Sequence, residues 1–165
     1  MSIDEKEATV IETLANHEKA IARLYGAYSN VFPDRRDFWS GLAAEEIEHA
    51  TWLRNLIPKI EDGSVYFDER RFQIEAIRTS LDYIEGLAAQ VQKQKPPIID
   101  ALSTALDIEK ALIEREWFRV AEADSPELKQ TFEALAISTM AHLEKVQRAW
   151  AEEKTGFPLG KKSGD

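Results

Sequence analysis

Glu45-Glu46-Ile47-Glu48-His49-Ala50 is the stretch on which the reading of this chain turns. It lies inside a run, Phe38 to Ile60, whose apolar residues recur at helical spacing and predict one long helix. Glu46 and His49 are three residues apart, so a helix sets them on one face, one turn above the other. Phe38, Leu42, Leu53 and Leu56 share that face. A carboxylate and an imidazole are therefore expected against the interior, where an unpaired charge is costly. A metal ion is one partner that removes the cost, and Glu-x-x-His lets a single helix offer it two ligands. By itself, in a chain that is 31% charged, such a pair is more often solvated surface or an ordinary intrahelical contact.

The 165 residues are 44% hydrophobic, enough for one domain with a sizeable core. Only seven Gly and six Pro occur, which favours long helices over a turn-rich β fold. The absence of cysteine excludes disulfides, thiolate zinc sites, iron–sulfur clusters and thiol redox chemistry. The opening residues, Met1-Ser2-Ile3-Asp4-Glu5, lack the basic and apolar regions of a signal peptide. No apolar segment approaches the roughly 20 residues of a membrane span, so a soluble cytoplasmic protein is expected. A formal charge of −9 argues against nucleic acid as a partner and favours cations.

In chain order, Ser2 and Glu5 form a capping-box pattern that starts a first helix. It continues to about Asn30 with Val10, Leu14, Ile21, Leu24, Tyr25 and Tyr28 on its apolar face, and Glu18 falls on that face too. The break at 31–34 offers Asp34 as N-cap of the second helix, and so short a link makes the two helices antiparallel. Pro58 should kink or end the second helix. Residues 64–97 read as a crossover containing a short helix, Leu81 to about Gln94, capped by Thr79-Ser80. A third helix is expected from Pro97 or Ile98 to about Ala123, with Leu102, Ala105, Leu106, Leu112, Ile113 and Val120 inward. Ser125-Pro126 caps and starts a fourth helix, Glu127 to about Lys154, and residues 155–165 read as a flexible tail. The expected fold is all-α: one domain over residues 1–154, built as a four-helix bundle of two antiparallel hairpins joined by a long crossover.

The hairpins repeat each other. Glu18 is followed 28 residues on by Glu46 and 31 on by His49; Glu109, near Leu106 and Ile113, is followed 33 on by His142. A Glu from each of two helices, with Glu-x-x-His from each of the other two, is the ligand arrangement of di-iron and di-manganese carboxylate bundles. On these residues the chain resembles the ferritin-like superfamily and, within it, the rubrerythrin family. Glu18 with Tyr25 looks like the first-helix Glu and Tyr, 45–50 like the second-helix motif, and Ala105-Leu106-Asp107-Ile108-Glu109-Lys110 like the third-helix ligand segment.

The resemblance implies a metal set of Glu18, Glu46, His49, Glu109 and His142, with Glu46 and Glu109 bridging two ions and the others terminal. The ions would be iron, with manganese or zinc as alternatives. Glu18, Glu46, Glu109 and Tyr25 would be the catalytic groups of an oxidase or peroxidase acting on oxygen or peroxide. A homodimer and an external electron donor are implied as well. Three departures stand out. The fourth helix reads Thr139-Met140-Ala141-His142, with threonine where the template has Glu. Leu112 occupies the place of an extra Glu one turn after Glu109, and there is no four-cysteine rubredoxin module. A second ion would then need water or a neighbour such as Glu116 or Glu144. Two other readings stay open: a module that holds metal without turnover, and a helical bundle with no metal chemistry. His142 is then a hydrogen-bonded histidine, Tyr25 and Tyr28 are core aromatics, and Trp39, Trp52, Trp117 and Trp150 serve packing or a dimer surface.

Overall fold

The computed structural model describes residues 1–156, and among these every regular element is helical. The elements are α1 (Ile3–Val31), a 3-10 turn at Pro33–Arg35, α2 (Arg36–Arg54), α3 (Ile57–Glu61), a 3-10 turn at Glu69–Arg71, α4 (Ile74–Lys93), α5 (Ile98–Glu114) and α6 (Pro126–Thr155). The all-α class is as the composition requires. Most of the expected tail, 157–165, lies outside the described residues. None of the helices within them is long and apolar enough to cross a membrane.

The chain divides into two compact units. One comprises Met1–Lys95 with Phe118–Leu135; the other comprises Pro96–Trp117 with the chain from Ala136 on. In the first unit, α1 starts as the sequence predicts. The Ser2 hydroxyl accepts the Glu5 N–H, and the Glu5 carboxylate accepts the Ser2 N–H. α1 then packs against both α2 and α4, which explains why it is buried around most of its circumference. Contacts fix the directions of these helices. Trp39 packs, tilted, against Tyr25 and Tyr28, and Arg54 reaches back to Glu12 and Asn16, so α2 runs antiparallel to α1. His17 meets Ser80 and Arg23 pairs with Glu85, so α4 runs parallel to it. α4 buries Ile77, Ile84 and Val91, one residue every seven, as two parallel helices in contact demand. A second aromatic group, Phe67, Phe72, Phe118 and Phe132, completes this unit's core.

In the other unit, α5 pairs with the later part of α6. The Trp150 indole donates to the Ser103 hydroxyl at 3.0 Å, and Glu109 faces His142, which makes the two segments antiparallel. Each expected hairpin thus exists as an antiparallel pair within its own unit.

Several boundaries differ from expectation, each for a local reason. α2 ends at Arg54 instead of running to Ile60, and the chain resumes as the five-residue α3. Pro58 has no N–H for the Arg54 carbonyl, and its ring excludes that carbonyl, so the break comes one turn ahead of the proline. Asp34 is not the N-cap of α2; it sits inside the 3-10 turn, and Arg35 occupies the cap position without a side-chain bond. α4 is a 20-residue helix from Ile74, not a short one from Leu81. Thr79 lies in its interior with its hydroxyl turned back to the Glu75 carbonyl at 2.8 Å, and Ser80 faces His17. α5 stops at Glu114 instead of Ala123. Glu116 takes a left-handed φ of 53° there, which turns the chain and leaves the consecutive residues Trp117 and Phe118 both buried. Val120 therefore lies beyond the helix it was expected to line. The Ser125 hydroxyl accepts the Tyr66 N–H at 3.2 Å, holding the returning loop. α6 ends on Gly156, whose φ of 71° suits glycine and whose N–H closes onto the Glu152 carbonyl.

Candidate metal centre

Helical spacing carries Glu46 and His49 to the inward face of α2, and the hairpin brings Glu18 of α1 opposite them. All three side chains are about 1% exposed. His49 Nδ1 lies 2.9 Å from Glu46 Oε2 and 3.9 Å from Glu18 Oε2. Burial works against a charged imidazole, but the two carboxylates outweigh it and raise the His49 pKa to about 9. At neutral pH the ring is therefore an imidazolium, and its Nδ1–H donates to Glu46. Burial, reinforced by the charge of Glu46, raises Glu18 to about 7. Neither Glu18 oxygen has a hydrogen-bond partner.

The chemistry of this set suits a divalent cation. Two carboxylates and an imidazole are donors of the hard-to-borderline kind that manganese, iron and zinc accept. The unsatisfied Glu18 oxygens are the sort of buried acceptors that a cation satisfies.

In the other unit, Glu109 of α5 and His142 of α6 are both wholly buried, with His142 Nδ1 3.7 Å from Glu109 Oε1. Glu109 is not on the solvated face occupied by its neighbours Asp107 and Lys110. Thr139, one turn before His142, is also buried at 2% exposure, and Leu112 is part of the core. Glu116 and Glu144, the neighbours considered as extra ligands, are both exposed.

The remaining expected site residue, Tyr25, is fully buried two turns after Glu18, its ring tilted against Trp39 at 5.6 Å. Trp52 is the residue that sequence reasoning undervalued. It is half-buried, with its ring centroid 5.2 Å from that of His49. The signal was present in its position three residues after His49, on the same face. His17, adjacent to Glu18 but on another face of α1, is hydrogen-bonded to Ser80 at 2.9 Å. Those two are 63 residues apart, and no spacing rule connects them.

No protein-family model, curated protein or solved structure matches this chain.

Proposed function

We propose that the protein binds divalent metal, iron or manganese in the first place, through Glu18, Glu46, His49, Glu109 and His142. We read the fold as a ferritin-like four-helix bundle of the rubrerythrin kind, cytoplasmic and dimeric. The observation that carries the metal reading is the buried Glu18 carboxylate, 3.9 Å from a buried histidine and with no hydrogen bond on either oxygen. Leaving a carboxylate in that state costs several kcal/mol, and a chain that keeps it has a use for it.

Bound iron or manganese supplies one-electron redox chemistry toward oxygen or peroxide, with reducing equivalents from an external donor. The chain's own contributions are specific. Glu18 and Glu46 offset the positive charge, and His49 presents a neutral nitrogen once its proton has left. The Trp52 ring covers one side of the imidazole and limits its rotation. Tyr25 lies on the same helix as Glu18, within the aromatic group around Trp39, and is the residue assigned to hydrogen-atom or proton exchange.

Thr139 favours a second reading, in which metal is held without turnover, because the position three before His142 carries a hydroxyl instead of a carboxylate. Anaerobic Fe(II) titration followed by oxygen or peroxide separates the two. Uptake with oxidation faster than that of free Fe(II) supports the oxidoreductase; uptake at the rate of free iron supports the holding module. Uptake of less than one equivalent refutes both.

A further inference from the structure

We infer that the end of the first unit where α1, α2 and α4 meet is the docking surface for a small acidic protein that delivers electrons one at a time. This rests on the redox form of the proposed function and adds the partner's chemistry and its place of entry. Because α2 runs antiparallel to α1 and α4 parallel to it, the end of α1, the start of α2 and the end of α4 lie together. Residues 23–37 and 85–95, which form this end, carry five cations (Arg23, Arg35, Arg36, Lys93 and Lys95) against three carboxylates. The end is therefore net positive on a chain whose formal charge is −9. Arg36, Lys93 and Lys95 are exposed. A groove of about 530 Å³ opens there between α1 and α4, lined by Arg23 and Lys93 and by the small residues Gly26, Ala27, Ala88 and Ala89. Carboxylates of a partner can enter beside the two cations, and charge complementarity of this kind steers and orients an encounter.

What lies beneath makes the partner an electron carrier. Lys95 Nζ is 5.2 Å from the centre of the Phe32 ring, and the Arg35 guanidinium is 5.8 Å from that of Phe38. From Phe32 the rings continue to Tyr28 at 6.1 Å and from Tyr28 to Trp39 at 4.7 Å. Trp39 also lies 5.0 Å from Phe38 and 5.6 Å from Tyr25. Tyr25 follows Glu18 by seven residues and Trp39 precedes Glu46 by seven, so each is about 10 Å along its helix from a proposed ligand. Tryptophan and tyrosine are the side chains most readily oxidised by one electron. The Trp39 indole is wholly buried, and its N–H has no hydrogen-bond partner among the described residues. An oxidised Trp39 thus has no adjacent acceptor for its proton and is restored by an electron alone. Trp39 gives one electron to the peroxide-oxidised site and regains one from the docked donor; no bond forms or breaks.

The probe is flavodoxin, a small acidic protein carrying one electron on its flavin, titrated by calorimetry into the metal-free full chain, with basic cytochrome c as control. Flavodoxin should bind and weaken as salt rises, and cytochrome c should not compete for this end. The double variant Arg36→Glu/Lys93→Glu should weaken flavodoxin at least about tenfold at low salt, flatten the salt dependence and leave Mn(II) uptake unchanged; Arg36→Lys/Lys93→Arg should bind as wild type. In Fe-loaded, peroxide-oxidised protein, Trp39→Phe should slow electron arrival from reduced flavodoxin about tenfold with docking unchanged. Should that variant fail to fold, the surface variants decide. No flavodoxin binding, or equal binding to the charge-reversed variant, overturns the inference and leaves metal binding standing. Salt-sensitive self-association abolished by charge reversal would make a second copy the occupant and overturn it too. Docking by a chain that binds no metal would remove the functional reading and with it the assignment of the partner as an electron donor.

Discussion

Metal uptake by the α1/α2 set should be strongly proton-linked, and the size of the linkage follows from the geometry. His49 sits between two carboxylates and holds its proton to about pH 9, while burial keeps Glu18 protonated to about pH 7. A divalent ion needs the His49 nitrogen free and the Glu18 carboxylate ionised, so it must displace both protons. At pH 7 about 1.5 protons should leave per ion bound, rising to about 2 at pH 6 and falling to about 1 at pH 8. Affinity rises with pH by the same slope, which amounts to about 1,000-fold between pH 6 and pH 8. Groups with ordinary values, near 6.5 for the imidazole and 4.5 for the carboxyl, would release only about 0.25 proton at pH 7. Their affinity would change about fourfold over the same range. Anaerobic calorimetry with Mn(II) at pH 6, 7 and 8, each in two buffers of different protonation enthalpy, reads the proton count directly. A release below about half a proton at pH 7, or an affinity gain of only about fourfold, refutes the buried, proton-holding cluster.

Four further outcomes follow from the same contacts. The metal-free fold should lose stability as pH rises, because both groups bind protons more tightly folded than unfolded. Glu18 acts between about pH 4.5 and 7 and His49 between about 6.5 and 9, each by about 3 kcal/mol at most, read by urea unfolding across pH. Glu46→Gln should abolish metal-dependent stabilisation, which for wild type at 100 times Kd is about 2.7 kcal/mol, or about 5–10 °C in Tm by calorimetry. Fe(II) or Mn(II) should quench part of the tryptophan fluorescence, and Trp52→Phe should remove that part, since its ring is 5.2 Å from His49; a full response in the variant would contradict the placement. Arg71→Ala should cost about 2–3 kcal/mol in urea unfolding. It leaves buried Asp124 without the guanidinium 2.7 Å away, and Arg71's 25% exposure keeps the loss below that of a fully buried pair.

What could be read from sequence was whatever depends on one helix or on a short link. Glu46 and His49 are three apart on α2, so their shared face followed from periodicity. The link at 31–35 is too short to allow anything but an antiparallel neighbour, which is why Glu18 could be set opposite them. Glu109 could be set inward beside Leu106 and Ile113, whereas His142 rested on its interval matching the first hairpin and on the resemblance to a known ligand template. Residues 114–123 show where the method fails. Glu114, Arg115 and Glu116 are acceptable helix formers, and nothing local ends α5 there. It ends where Glu116 takes a left-handed φ, a conformation that no glycine or asparagine marks in the sequence. The start of α4 was misplaced for the opposite reason. Thr79 and Ser80 look like caps locally, but a hydroxyl inside a helix can bond the carbonyl four residues back, as Thr79 does.

The burial of α1 explains why its charged residues carry the argument. A helix covered on one side by α2 and on another by α4 has little solvated face left, yet α1 keeps Glu7, His17 and Glu18 among its buried residues. Two of these are satisfied in ways that hold the fold together. The Glu7 carboxylate accepts the Phe67 N–H at 2.8 Å, and His17 bonds Ser80 on α4. Removing either partner would loosen a loop or a helix pair. Glu18 is held less well: neither oxygen is within hydrogen-bonding distance of a partner, its ion pair with His49 is 3.9 Å long, and burial beside Glu46 raises its pKa. Glu18→Leu should therefore eliminate tight metal uptake, and it should also let His49 lose its proton at lower pH, because one of the two carboxylates that hold that proton is gone. Mn(II) uptake in Glu18→Leu as tight as in wild type would mean that the carboxylate is no ligand, and the case for a metal ligand at this position would fall.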